Sequence, residues 1–127
     1  MHIIPLYASL LSLFFVALSI KTIRLRRELK IGVGDGGNAK MTRAMRVHSN
    51  FTEYVPLCLL MLFLAEFYTA PTFLLHFFGA GLLIGRLSHA YGVSQLKEKF
   101  VFRITGMVLT FTTLLLATIY VLFSYTR

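Results

Sequence analysis

The polar residues best placed to do chemistry form one stripe on a predicted helix. Two cations, an amide and a carboxylate are spaced three or four residues apart, so at about 100° per residue they share one helix face. They are Arg43, Arg46, Asn50 and Glu53. The same helix continues into an apolar run that begins at Val55. Ionisable side chains in a membrane span are costly unless they face protein or water, so the stripe predicts a site for a charged or polar ligand.

Further cations and a histidine stand at the ends of the other apolar segments. Arg24 follows the first apolar run, and Arg86 and His89 lie three residues apart near the end of the third. Arg103 lies about one turn inside the fourth, which then carries no formal charge until Arg127. Such a cation can be an anchor that extends to the membrane interface or a member of a buried site, and a histidine can be purely structural. The residues alone leave both explanations open.

The composition indicates a membrane protein and excludes several other classes. Of 127 residues, 57% are hydrophobic and the mean hydropathy is +0.73, which is too apolar for a soluble domain of this length. The net charge of +8 does not indicate a nucleic-acid partner, because eight of the thirteen Lys and Arg fall in residues 21–46 and four in residues 86–103, a pattern typical of membrane topology. Cys58 is the only cysteine and the histidines are scattered, so we predict no disulfide and no metal site.

Four segments are long and apolar enough to cross a membrane. The predicted spans cover residues of about 3–27, 41–68, 72–91 and 100–124 in a single domain, residues 1–127. A glycine-rich stretch, residues 31–39, reverses the chain between the first two spans. Pro56 predicts a kink in the second span, and Gly81 and Gly85 in the third provide small residues for close helix approach. The predicted fold class is an all-α, four-helix membrane bundle.

The positive charges also predict how the bundle is oriented and assembled. By the positive-inside rule, the two basic turns face the cytoplasm and both termini lie outside. The polar residues of all four spans then converge on the cytoplasmic end. A single four-helix bundle has too thin a core to bury several charged side chains, so interfaces between subunits are the better location for them.

One motif carries a family resemblance. Residues 46–57 read Arg-x-x-x-Asn-x-x-Glu-Tyr-x-Pro-Leu. This pattern resembles the second-helix signature of the MAPEG family, the membrane-associated proteins of eicosanoid and glutathione metabolism. Residues 85–92, Gly-Arg-Leu-Ser-His-Ala-Tyr-Gly, are similar to the small bacterial members of that family. The resemblance implies a homotrimer in a bacterial inner membrane, with binding clefts between neighbouring protomers.

The resemblance also implies a site for glutathione as cosubstrate. Its predicted binding residues are Arg24, Arg46, Asn50, Glu53, Arg86, His89 and Tyr91. The arginines would contact the carboxylates of glutathione, and Glu53 would pair with its ammonium or hold Arg46 in place. Arg103 matches the arginine that stabilises the thiolate in the family, and is the predicted catalytic residue. Ser49 stands where prostaglandin-synthase-like members carry an arginine, so isomerase chemistry of that kind is not expected.

Three classes of function are compatible with these residues. The first is a glutathione transferase or glutathione-dependent peroxidase that acts on a lipophilic electrophile entering from the bilayer. The second is a non-catalytic protein of the same fold that binds lipid or another ligand, or acts as a scaffold. The third is a four-span transporter, which usually needs a carboxylate in its first span, and residues 1–20 contain none. Membrane lipids are partners in each case.

Overall fold

Four α-helices joined by short turns form the computed structural model, which describes residues 2–127. They are α1 (Ile4–Leu29), α2 (Ala39–Phe67), α3 (Thr72–Ser94) and α4 (Phe100–Tyr125). All four are long and apolar enough to cross a membrane, which confirms the predicted all-α, four-span architecture. The homotrimer stays a prediction.

The turn between α1 and α2 is defined by local chemistry at both helix ends. Lys30, with φ of 55°, adopts the left-handed conformation that ends α1. Asn38 begins α2 because its side-chain oxygen accepts hydrogen bonds from the backbone N–H groups of Lys40 at 3.0 Å and Met41 at 3.1 Å. This cap explains why α2 begins at Ala39, two residues before the predicted start of the second span.

The core of the bundle follows one face of each helix. On α2 the buried positions recur every three or four residues: Met41, Ala44, Val47, Phe51, Val55, Cys58, Leu62 and Ala65. Helices α1 and α4 each pack against α2 and α3 but do not contact one another, so α2 and α3 form the centre of the bundle. Large apolar side chains such as Leu13 and Phe63 are exposed on the outside, which suits a surface in contact with lipid.

The closest helix pair is α3 and α4, and glycines make that approach possible. A Cβ atom added to Gly106 would lie 2.5 Å from the carbonyl oxygen of Gly85. Gly81 faces the Thr113 hydroxyl, one helix turn further along. The predicted small-residue strip therefore serves close packing within one copy of the chain.

Glu66 near the end of α2 supplies the N-terminal cap that α1 lacks. No side chain near Ile3 caps the first turn of α1. Instead, one carboxylate oxygen of Glu66 accepts the backbone N–H of Ile3 and, at 3.1 Å, that of Ile4. The negative charge lies where the positive end of the helix dipole favours it. A carboxylate inside a predicted span thus has a structural role, which is to tie the start of α1 to the end of α2.

Candidate ligand-binding site

A polar cavity of about 540 Å³ opens at the end of the bundle that carries the two basic turns. Three arginines contribute to its wall: Arg43, Arg46 and Arg103. Two acidic residues, Asp35 and Glu98, also line it. Asn50 and His89 form the part of the wall nearest the centre of the bundle. The volume is within the range of small-molecule sites, and the mixture of charges suits a ligand that carries both signs of charge.

Behind this wall lies a buried guanidinium. Arg86 is 1% exposed, and its Nη2 donates to Oδ1 of Asn50 at 2.6 Å and to Nδ1 of His89 at 3.2 Å. Its Nη1 lies 3.4 Å from the Thr110 hydroxyl and 3.9 Å from the sulfur of Met107. Among residues 2–127, Nε of Arg86 has no hydrogen-bond partner, and no carboxylate lies within ion-pair distance of the guanidinium. The groups in direct contact with this positive charge are therefore all neutral in this structure.

Asn50 and His89 connect this buried charge to the cavity. A guanidinium can only donate hydrogen bonds, so Nδ1 of His89 accepts and the ring proton lies on Nε2. Both side chains line the cavity while they contact Arg86. The inner wall of the cavity is thus held in place by the buried cation.

Glu98 joins two of the cavity arginines. Its Oε1 lies 2.9 Å from Nη1 of Arg103 and 3.4 Å from Nη1 of Arg43, and the Glu98 side chain is 11% exposed. Arg43 also donates to the carbonyl oxygen of Val93 at 3.1 Å. The predicted catalytic arginine is therefore already paired with a carboxylate. Glu98 is not among the residues predicted from the sequence, although it is the only acidic residue C-terminal to Glu66 and it stands among basic residues.

The glycine-rich turn also contributes to the site. Asp35 accepts a hydrogen bond from the Thr42 hydroxyl at 2.7 Å and from the backbone N–H of Gly37 at 2.9 Å. These two bonds, that of Thr42 first, lower the pKa of the Asp35 carboxyl below its usual value of 3.8. The glycine content of residues 31–39 predicted only a chain reversal here. The structure shows that the turn is anchored to α2 and forms one wall of the cavity.

The structure brings together some of the predicted site residues and separates others. Four of them line the cavity: Arg46, Asn50, His89 and Arg103. Arg86 lies directly behind it. Arg24 and Glu53 are exposed on α1 and α2, and Tyr91 accepts a hydrogen bond from Nζ of Lys99 at 3.0 Å. These last three do not line this cavity, and their role in ligand binding stays a prediction.

Comparison with known proteins adds a family and a relative. The MAPEG family model matches residues 4–123. The chain is 37% identical over 111 residues to "Inner membrane protein YecN" of Escherichia coli strain K12, an alignment that covers 87% of this chain and 83% of the relative. The protein of the same name in Escherichia coli O6:H1 matches with the same identity and coverage.

Proposed function

The chain belongs to the MAPEG family, and from this premise we propose that it is a glutathione-binding enzyme of a bacterial inner membrane. The similar Escherichia coli protein is named an inner membrane protein, which supports that location. In the proposed orientation the two basic turns are cytoplasmic and both termini lie outside. The polar cavity then opens toward the compartment in which a soluble thiol peptide is dissolved.

The observation that carries the proposal is the buried Arg86 guanidinium, which has no carboxylate partner among the described residues. A buried charge without a counter-charge is expensive, and an anionic ligand nearby would offset part of that cost. Asn50 and His89 separate Arg86 from the cavity, and Arg46 lines the same space. Glutathione carries two carboxylates, an ammonium and a thiol, so its charges match a cavity that holds both arginines and carboxylates.

Arg103 supplies the proposed chemistry. A thiol of ordinary pKa, about 8.5, is mostly protonated at neutral pH, and the thiolate is the nucleophile. Lowering the pKa of the bound thiol by two units requires about 2.7 kcal/mol, which one nearby guanidinium can supply. In conjugation, the sulfur attacks an electrophilic carbon, an S–C bond forms and the leaving group departs with its electron pair. In peroxide reduction, the thiolate sulfur attacks a peroxide oxygen, so that an S–O bond forms as the O–O bond breaks and the alkoxide leaves and takes a proton from water. The thiol of a second glutathione then attacks the sulfur of the sulfenic acid, and a disulfide forms with loss of water.

Glu98 has a defined part in this scheme. In the structure, Oε1 of Glu98 lies 2.9 Å from Nη1 of Arg103, so it forms an ion pair with the guanidinium that would face the thiolate. Because Arg43 also contacts the same carboxylate oxygen, Glu98 keeps a partner when Arg103 turns toward a ligand. We therefore expect the carboxylate to compete with an anionic ligand and to lower its affinity.

The homotrimer belongs to the same proposal. Arg24 and Glu53 are exposed and lie outside the cavity, and α1 does not contact α4 within one chain. A neighbouring copy could complete the site with these side chains, because charged groups are better accommodated at a polar subunit interface than against lipid. Native mass spectrometry in mild detergent tests this, and a purely monomeric protein would contradict it.

Calorimetry with glutathione in detergent tests the proposed function. We expect wild type to bind, Arg46→Leu to bind more weakly by about 2–5 kcal/mol, and the matched control Arg27→Leu, which changes an exposed arginine outside the cavity wall, to bind as wild type does.

A pH titration of bound glutathione, followed by the absorbance of its thiolate, then tests the role of Arg103. Arg103→Leu should bind glutathione without lowering the pKa of its thiol. If wild type does not bind glutathione, the proposed function is wrong.

A second candidate, a non-catalytic membrane binder of the same fold, is favoured by the Arg103–Glu98 ion pair. That pair already neutralises the cation on which thiolate chemistry depends. The two functions differ in a measurable way, because a binder would take up glutathione and leave its thiol unshifted. It would also show no conjugation with a reactive aryl halide.

A further inference from the structure

A second cavity, of about 500 Å³, lies at the same end of the bundle and differs from the first in its chemistry. Four lysines line it: Lys21, Lys40, Lys97 and Lys99. The chain has only five lysines, so all but Lys30 face this one space. The first cavity, by contrast, is lined by arginines and contains no lysine in its wall.

The positive charge of this cavity is not compensated by the protein. No acidic residue lines it, and within residues 2–127 none of its four lysines forms an ion pair with a carboxylate. Lys99 contacts the hydroxyl of Tyr91 at 3.0 Å, but a phenol does not neutralise an ammonium. Glu98, which stands between Lys97 and Lys99 in sequence, instead lines the first cavity and pairs with its arginines. In the turn before α4, Glu98 therefore lines the first cavity, whereas Lys97 and Lys99 line the second.

The surroundings of the lysines combine hydrogen-bond donors with apolar side chains. Ser94 and Gln95 contribute polar groups to the wall, and Leu25 and Leu96 contribute apolar ones. Leu96 is itself exposed, as is Phe100 at the start of α4. A ligand that fits this wall has a phosphate group for the lysines and a hydrocarbon part for the leucines.

We propose that this cavity binds the anionic headgroup of a phospholipid from the surrounding membrane. Basic pockets between membrane helices suit such headgroups, because several ammonium groups can surround one phosphate while the acyl chains remain in the bilayer. Lysine suits this task as a compact, strongly hydrated charge at the membrane interface. The inference is independent of the glutathione site, since the two cavities share no residue in their walls.

The test is native mass spectrometry of the full chain in detergent with short-chain phosphatidylglycerol. Short-chain phosphatidylcholine and sodium phosphate serve as the two comparison probes. The cavity variant is Lys40→Gln with Lys97→Gln, and the matched control is Arg27→Gln with Lys30→Gln, which removes the same charge at exposed positions outside this cavity. Each cation near a membrane surface contributes about fivefold to the affinity for anionic lipid, so the cavity variant should bind phosphatidylglycerol about 25-fold more weakly.

Each outcome of this experiment decides the inference. Selective binding of phosphatidylglycerol over phosphatidylcholine, lost in the cavity variant and kept in the control, supports it. Equal losses in both variants would show that net charge alone attracts the lipid, and would overturn it. Binding of phosphate but not of phosphatidylglycerol would assign the cavity to a soluble phosphate and would also overturn it. Equal melting temperatures of the two variants ensure that a loss of binding is not a loss of folding.

Discussion

One methyl group added at Gly106 should force α3 and α4 apart. A Cβ atom there would lie 2.5 Å from the carbonyl oxygen of Gly85, 2.5 Å from the amide nitrogen of His89 and 2.7 Å from its Cβ. Non-bonded atoms normally rest at about 3.5–4.0 Å. Two of the three contacts are to backbone atoms, so no side-chain rotation can relieve them, and the helices must separate by roughly 1 Å.

The cost of this separation can be bounded. Forcing an extra methylene into a well-packed core costs about 1–3 kcal/mol. The better helix propensity of alanine returns at most about 1 kcal/mol. Separation of the helices also lengthens the contact between Arg86 and the Thr110 hydroxyl, which is 3.4 Å in the structure. We therefore expect Gly106→Ala to lower the free energy of unfolding by about 1–2 kcal/mol after this gain, because two of the contacts are to backbone atoms, and to weaken ligand binding in the polar cavity.

The chain contains its own reporter for this measurement. Cys58 is the only cysteine and is fully buried, so a fluorogenic maleimide reacts with it only when the bundle opens. Heating the protein in detergent with this reagent gives a melting temperature. Gly81→Ala is the matched control, because its Cβ would meet a single side-chain atom, Oγ1 of Thr113 at 3.0 Å, and no backbone atom of α4. A melting temperature of Gly106→Ala equal to that of wild type, or an equal loss of stability in both alanine variants, would contradict this prediction.

The other predictions concern single side chains and use the same melting and calorimetric assays. Glu98→Gln should tighten glutathione binding by removing a competing carboxylate, and weaker binding would mean that the carboxylate positions the arginines for the ligand instead. Asn50→Leu removes the 2.6 Å partner of the Arg86 guanidinium and should destabilise the bundle by about 1.5–3 kcal/mol, so an unchanged melting temperature would contradict the buried-charge argument. Glu66→Gln keeps an acceptor but removes the charge at the start of α1, and we expect the free energy of unfolding to fall by about 0.3–1 kcal/mol, a loss that high salt reduces only in part because the Glu66 side chain is 9% exposed. Asp35 has a pKa below 3.8 in the folded protein, so its contribution to stability is fully present well above pH 3.8 and is lost as the pH falls through the lowered value. The difference in melting temperature between wild type and Asp35→Asn should therefore be constant near neutral pH and shrink under acid, and a pH-independent difference would show that the carboxylate charge is irrelevant.

Local pattern determined the helices and the placement of polar residues along them. The lengths of the apolar runs predicted four spans, and the structure has four helices of matching position. The spacing of Arg46 and Asn50 predicted that both face one side of α2, and both line the cavity. These features depend on hydropathy and on the 3.6-residue period, which act over one helix at a time.

Contacts between helices were decided only by the tertiary structure. Asn50 and Arg86 are 36 residues apart in the chain and meet because α3 packs against α2. The ion pair of Glu98 depends on a turn whose side chains point to two different cavities. The spacing of Gly81 and Gly85 predicted that another helix approaches α3 closely, but it did not reveal that this helix is α4 or that Gly106 is the residue that meets Gly85. Side-chain partners across helices depend on crossing geometry, which arises from the shape of both helix surfaces together, whereas hydropathy and helical period describe each helix alone.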